Sequence, residues 1–308
     1  MTKSHKYGGF IWAEDPKRFL EVARKEGWQE ALKSVQQENA PNKLQEALAP
    51  NRLAWLNLVD ISSPTKVLDI GTGTGGIACQ LAKKCSVVAI DSSSVDVEFL
   101  KIRAKQDNLR HLKVFLADAV KLPFGRNQFD LAIMNGVLEW IPTGQTNKDP
   151  REVQLRALKE VRRVLKPEGK FMLGIENRYY LGYFLGIPEP HVDMKYISIM
   201  DREEAEKLSK NVRGMPFLEY TYSKQEYEEL LKEAGFKHIE AYWLYPDYRL
   251  PQYMIPLDNT NAVKFFVEEL LTPDDYNNNV FYSIYQFYKF CSPQIISDFI
   301  GHYGFLCY

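Results

Sequence analysis

The sequence predicts an α/β protein built on a doubly wound, Rossmann-like parallel sheet, and three observations carry that prediction. From Lys66 onward, short and fully apolar runs alternate with helical patterns, which is how strands covered on both faces must read. One run passes straight into a glycine cluster, Gly71-Thr72-Gly73-Thr74-Gly75-Gly76. Acidic or amide residues then stand where successive runs end, at Asp69, Asp91, Asp118 and Asn135.

Taken in order, residues 1–60 read as a polar helical segment. Pro16 suits a first helical position, and 51–59 repeat apolar residues at helical spacing. Strands are expected at 66–70, 86–90, 112–116, 129–134 and 170–175, with helices at about 75–84, 94–107 and 150–165 between them. Lys166-Pro167-Glu168-Gly169 reads as the stop of the last helix and the turn into the fifth strand. After Glu176 the alternation lapses through 177–222, which holds only a short charged helix near 201–210. Ser223 and Glu226 form a capping-box pattern that opens a helix ending at Ala234-Gly235, and a strand follows over 237–245. The final Gly304-Phe305-Leu306-Cys307-Tyr308 reads as a strand that returns to the sheet. The expected organisation is thus an N-terminal helical segment, 1–60, and one sheet-centred domain, 61–308, with lid insertions at about 177–222 and 247–303. Phe281, Tyr282, Tyr285, Phe287, Tyr288 and Phe290 recur at helical spacing, as packing side chains do.

Composition narrows the function classes. The 308 residues carry 39 Lys+Arg against 40 Asp+Glu, a formal net charge of -1, so a protein whose main task is to neutralise phosphates along a nucleic acid is not expected. The start is polar and nothing approaches the roughly 20 apolar residues that cross a bilayer, so the expected setting is cytoplasmic without a membrane span. Cys79, Cys85, Cys291 and Cys307 form no CxxC pair and no metal-ligand spacing with a histidine; buried free thiols are expected and no metal. Nothing in the chain signals an oligomeric state.

The glycine loop alone fits two patterns, GxGxxG through Gly71, Gly73 and Gly76 and GxGxG through Gly71, Gly73 and Gly75, so a dinucleotide dehydrogenase has to be weighed. Asp91 lies 22 positions after Asp69, where an acid takes ribose hydroxyls in either case. Asp69, two residues before Gly71, stands where a dehydrogenase usually has a neutral residue, and Asp118 and Asn135-Gly136 extend the series to two further strand ends.

With that series on the page, Lys66 to Glu176 resembles the class I S-adenosylmethionine-dependent methyltransferases. The resemblance implies S-adenosylmethionine as cofactor, with Asp69 and the loop Gly71, Gly73 and Gly75 at its methionine end. It places Asp91 and Ser92 at the ribose, Asp118 and Ala119 at the adenine edge, and Asn135 and Gly136 beside the sulfonium methyl.

Methyl transfer from a sulfonium is an in-line displacement, so a protein must mainly align the acceptor, exclude water and, for a hydroxyl, remove a proton. Candidates for acceptor chemistry follow the fourth and fifth strands: Glu139, Trp140, Glu176 and His191. His191 is the expected base, because an imidazole titrates near pH ~6.5 and this one lies in a proline-flanked loop. Glu176 is expected to be structural or to touch substrate, ionised and paired with Arg178. Trp140 and Tyr179 are candidate pocket walls, and Arg178, Lys195, Arg213 and Arg249 candidate anion binders.

Three further segments, 174–186, Pro188-Glu189-Pro190-His191 and 245–251, are similar to a bacterial branch that accompanies glycosyltransferases in gene clusters for surface polysaccharide and glycosylated natural products. This resemblance implies O-methylation of a sugar or other small hydroxylated acceptor. Methylation of nitrogen, carbon or a carboxylate, on a small molecule or a peptide, and a non-catalytic cofactor-binding subunit remain as alternatives.

Overall fold

The computed structural model describes residues 15–35, 43–59, 61, 65–145, 148–272 and 278–308. Its centre is an eight-stranded sheet. Strands β1 (Lys66–Ile70), β2 (Ser86–Asp91), β3 (Leu112–Leu116), β4 (Phe129–Asn135) and β5 (Leu165–Glu176) pair in parallel in the order β3-β2-β1-β4-β5. A hairpin of β6 (Pro188–Glu189) and β7 (Met194–Lys195) stands apart from the sheet. Beyond β5 come β8 (Ile239–Tyr245), β9 (Tyr253–Pro256) and β10 (His302–Cys307), in the spatial order β10-β8-β9. The last strand runs antiparallel between β5 and β8, so the end of the chain lies inside the sheet, as expected.

The apolar runs split by parity, as the period of two requires. Leu68, Val88, Ile90, Ala132, Met134, Leu173 and Phe305 face a large cluster that includes Val153, Leu158 and Val161 of the helix Pro150–Val164. Val67, Val87, Ala89, Leu131, Ile133, Met172 and Leu306 face the opposite layer, with Trp55, Leu56, Ile77, Cys79 and Leu100. The N-terminal helices Pro16–Lys25, Trp28–Ser34 and Lys43–Leu48 contribute Phe19, Ala23, Trp28, Leu32 and Ala47 to a third cluster around Phe99, in the helix Ser94–Gln106.

Local chemistry fixes the helix starts. Asp149 accepts from the Glu152 amide at 2.9 Å with Pro150 at the first position. Both halves of the Ser223–Glu226 capping box form at the helix Lys224–Glu233. Four expectations need correction. Only Ala78–Leu81 of the expected helix 75–84 is helical, because the glycine loop and its turns consume the preceding residues. Residues 51–59 form a 3-10 helix, Pro50–Leu58, and not an α-helix. Residues 166–169 loop out of the β4–β5 ladder between the pairs Phe129–Leu165 and Leu131–Lys170, within the span of β5. The excursion 247–303 is only partly outside the sheet, since β9 pairs with β8 along its outer edge.

The position of β10 gives a direct test. It pairs through six residues with β5 and five with β8, and Tyr303, Phe305 and Cys307 are buried. Removing 302–308 would leave facing ladders unpaired and a gap in the core; each orphaned buried backbone group costs about 1–3 kcal/mol. The truncated chain is expected to lack a cooperative thermal transition by circular dichroism, whereas removal of Tyr308 alone should leave one.

Candidate functional site

The ends of β1, β2, β4, β5 and β8 and the start of β10 lie along one edge of the sheet, because the strands run the same way except β10, whose His302 pairs opposite Glu176. In doubly wound sheets this edge, at the point where the strand order reverses beside β1, is where ligands bind.

At that point Asp69 is buried and accepts from the Thr72 hydroxyl at 2.7 Å. Burial pushes its carboxyl up to about 6, against the lowering effect of the Thr72 bond and of Arg52. Gly73 has φ +50 and open space where a side chain would stand, so the loop leaves a cradle beside its own backbone. Its amide donates to Asp91 Oδ2 at 2.9 Å, while Asp91 Oδ1 accepts from the Ser93 amide at 2.9 Å. Burial also raises the Asp91 carboxyl, and backbone donors oppose it. Ser92 beside it is exposed. Asp118 is exposed at the end of β3 and caps the next turn through Val120 N, and Ala119 is buried behind it.

Across the mouth of β4, the Asn135 amide donates to Tyr248 O at 3.3 Å, and its Oδ1 is buried without a partner among the described residues. Gly136 has φ +69, and a Cβ there would lie 2.6 Å from the Tyr248 ring, so only glycine lets that ring close over the strand end. The Tyr248 hydroxyl donates to Glu176 Oε1 at 2.8 Å.

Behind Tyr248 lies a buried cluster of three carboxylates and an imidazole. Glu139, in the turn Leu138–Gly144 after β4, is fully buried, and Gln154 holds that turn by donating to Leu138 O at 3.0 Å. Glu176 ends β5 and Glu189 ends β6; both are buried. The β6–β7 loop wraps around its own carboxylate: Glu189 accepts from the amides of His191 at 2.8 Å and Val192 at 3.0 Å, and from His191 Nδ1. That contact aims Nε2 inward, 3.7 Å from Glu139 Oε1 and 3.6 Å from Glu176 Oε1. Trp140 meets the imidazole edge-on with centroids 4.8 Å apart. Burial and Glu176 push the Glu139 carboxyl up to about 7. Burial works against the charged imidazole, yet Glu176, Glu189 and Glu139 together hold the His191 pKa well above its ordinary value.

The fold therefore gathers His191, Glu176, Glu139, Trp140, Asn135 and Gly136 at one mouth. It does not pair Glu176 with Arg178, a correction to the sequence reading. The Arg178 guanidinium turns away and donates to Ser198 O and Met200 O, both at 2.8 Å, with Glu226 at 3.8 Å, and so ties down the segment 198–200. Tyr179 is half-buried against that guanidinium, 5.1 Å from ring centroid to Cζ. Arg249 is half-buried, 3.6 Å from Asp247, next to the mouth-closing Tyr248. Arg213 pairs with Glu219 at 3.3 Å, and Lys195 is exposed on β7. Sequence reasoning missed Glu189, Tyr248 and His302, whose Nδ1 bonds Pro246 O at 3.1 Å. For Glu189 the signal was present: an acid two residues before a loop histidine can reach its Nδ1.

Comparisons with known proteins agree with this geometry. The methyltransferase domain family matches residues 68–173. The ubiquinone/menaquinone biosynthesis C-methyltransferase UbiE of Rickettsia felis is 30% identical over 186 residues, covering 56% of this chain and 68% of that protein. An uncharacterised protein of Methanocaldococcus jannaschii is 33% identical over 174 residues, covering 56% of this chain and 65% of its own length. Among solved structures, the Haemonchus contortus phosphoethanolamine N-methyltransferase 2, in complex with phosphomonomethylethanolamine and S-adenosylhomocysteine, aligns over 97% of this chain and 60% of that one. The TM-score is 0.51 at 17% identity, a likeness of fold. The matched stretch holds the strand ends from Asp69 to Asn135 and their glycine loop, and the chain accordingly belongs to the class I S-adenosylmethionine-dependent methyltransferases.

Proposed function

We propose that the protein transfers the methyl group of S-adenosylmethionine to a hydroxyl of a small acceptor, a sugar or natural-product intermediate, in the space bounded by Asn135, Tyr248 and His191. The observation that carries this reading is the Glu189–His191 pair aimed at Glu139 and Glu176 beside the β4 and β5 ends. An acceptor with no proton to give up, such as a carboxylate, gains nothing from such a cluster; a hydroxyl does.

The residues present suit the cofactor. Asp69 is a buried carboxylate whose raised pKa would fall beside a cationic amine, Gly73 leaves an open cradle, and Asn135 Oδ1 is an orphaned acceptor at the mouth. Asp69 with Gly71, Gly73 and Gly75 would hold the methionine end, Asp91 and Ser92 the ribose, Asp118 and Ala119 the adenine edge. Bound there, S-adenosylmethionine supplies an activated methyl on a good leaving group.

This chain's task is then to place the acceptor oxygen in line, keep water out, and receive a proton. Trp140, Tyr179 and Tyr248 would wall the acceptor, and Glu176, fixed by the Tyr248 hydroxyl, would orient it. His191 and Glu139 titrate as a pair, so the protons belong to the two together. Both members are pushed up, Glu139 to about 7, and the pair would receive the proton that the acceptor gives up. Glu189 keeps the imidazole in register by holding Nδ1. The Rickettsia relative's name favours a second reading, methylation of ring carbon in a hydroxylated aromatic, which would use the same pair; mass spectrometry of the product separates the two.

Asp91→Ala is expected to weaken binding of S-adenosylhomocysteine by ~10-fold or more in calorimetric titration; unchanged affinity would overturn the ribose role. His191→Ala should lower kcat by ~100-fold or more with little change in that affinity. Turnover should rise with pH through an apparent pKa near 7 as the pair loses its second proton, and Glu139→Gln should move that limb to the imidazole alone, which Glu176 and Glu189 still raise. The same substitution tests the buried charge. Because the folded pKa of Glu139 lies above its unfolded value of 4.5, wild type loses stability as pH rises toward 7 and beyond. Glu139→Gln should therefore be more stable by on the order of 2–3 kcal/mol in urea at pH 8.5, with the advantage gone below pH ~4.5.

A further inference from the structure

The cluster behind Tyr248 carries more negative charge than its one imidazole offsets. Glu139, Glu176 and Glu189 are all buried, and among the described residues no Lys or Arg nitrogen lies within ion-pair distance of any of them; Arg249 acts on Glu176 only from farther off. Buried carboxylates in such a setting are costly, most of all where an oxygen makes no bond. Both oxygens of Glu139 and Oε2 of Glu176 are closed to solvent and have no hydrogen-bond partner among the described residues. His191, with 5% of its side chain exposed, aims Nε2 between these two carboxylates, 3.7 Å from Glu139 Oε1 and 3.6 Å from Glu176 Oε1. Those separations are too long for hydrogen bonds. They suit donors that share an ion, since two ligands about 2.1 Å from one centre stand roughly 3.4 Å apart at a tetrahedral angle. The ligand atoms of Glu139, Glu176 and His191 all lie within 4.8 Å of one another, the one such group of three among the described residues.

The contacts around these donors are those that metal ligands need. Glu189 holds His191 Nδ1, which leaves Nε2 as the free donor, and Glu176 Oε1 accepts from the Tyr248 hydroxyl at 2.8 Å. We propose that Glu139, Glu176 and His191 Nε2 form a site for a divalent transition-metal ion, with Glu189 and Tyr248 as positioning residues behind them. An imidazole among three donors favours Mn²⁺ or Zn²⁺ over Mg²⁺ or Ca²⁺, which take oxygen ligands. With only three protein donors, such an ion keeps a position for an acceptor oxygen, whose pKa it would lower. The inference concerns the same site as the hydroxyl reading and changes what ionises the acceptor. While Nε2 holds an ion it takes no proton, so the metal-free pair described above and the ion are alternatives at the same atoms.

The test titrates Mn²⁺ into the chelator-treated protein and follows free Mn²⁺ by electron paramagnetic resonance, a readout that needs neither cofactor nor acceptor. Mn²⁺ is the probe because it prefers oxygen and nitrogen to thiolate donors, which keeps the four cysteines out of the count. Wild type is expected to take one ion per chain with a Kd of ~10 μM or tighter. Glu139→Gln, which keeps the shape and removes the charge, and His191→Ala should each weaken binding ~10-fold or more, and Glu189→Gln ~10-fold through the aim of Nε2 alone. No ion on wild type, or an ion held equally well by Glu139→Gln and His191→Ala with both folded by circular dichroism, overturns the proposal. Should His191→Ala fail to fold, Glu139→Gln decides by itself. A hydroxyl acceptor left unmethylated while Mn²⁺ binds as expected strikes the hydroxyl reading and spares the site; methylation of a hydroxyl by a protein that binds no Mn²⁺ does the reverse.

Discussion

The mouth around Glu176 and Tyr248 depends on one set of backbone bonds, the antiparallel ladder that seats β10 between β5 and β8. A parallel sheet that stopped at β5 would present the cofactor edge and nothing opposite it. By extending the sheet, β10 carries β8 to where the following segment folds back over the β4 mouth, and its own first residue, His302, stands opposite Glu176. Its pairs are far apart in sequence, so this side of the mouth is completed only when β10 has docked between β5 and β8, a non-local contact.

The mouth is lined by buried carboxylates as well as by aromatic rings. Asp69, Asp91, Glu139, Glu176 and Glu189 are brought within one edge of a mostly apolar sheet, and burial raises the carboxyls of Asp69, Asp91 and Glu139. Partial compensation comes from the protein itself: Thr72 at Asp69, backbone amides at Asp91, and three amide or imidazole donors at Glu189. Glu139 has the least, since neither of its oxygens finds a hydrogen bond among the described residues. Stability has been given up here in exchange for groups that hold or pass charge near neutral pH, as functional sites commonly do.

Much of this was legible in the sequence because it is local. The period of two separates Val67 from Leu68 and Val87 from Val88 onto opposite faces, and strand ends follow directly from where apolar runs stop. The capping residues Asp149 and Ser223 act within one turn. What was not legible depends on long-range contacts. Arg178 looks like a partner for Glu176 two residues away, yet the strand ends at Glu176 and the chain turns, so the guanidinium finds the carbonyls of Ser198 and Met200 instead. Arg52 and Tyr248 reach the mouth from segments nearly two hundred positions apart, joined by Asn51 and Leu250, and no spacing rule connects them. The edge strand β9 escaped notice because four residues, Tyr253–Pro256, are too few to show a period.

The β6–β7 loop carries a consequence for how such a protein diversifies. Its histidine is aimed by a carboxylate only two positions away, through bonds that close within Glu189–Val192, so the orientation is a property of the loop and not of the pocket around it. Side chains around the mouth that lie outside this loop can then be exchanged by mutation while Glu189 still holds the imidazole. A lineage could change what it methylates through single substitutions on the walls, each tolerated on its own, while the reactive centre travels unchanged from one acceptor to the next.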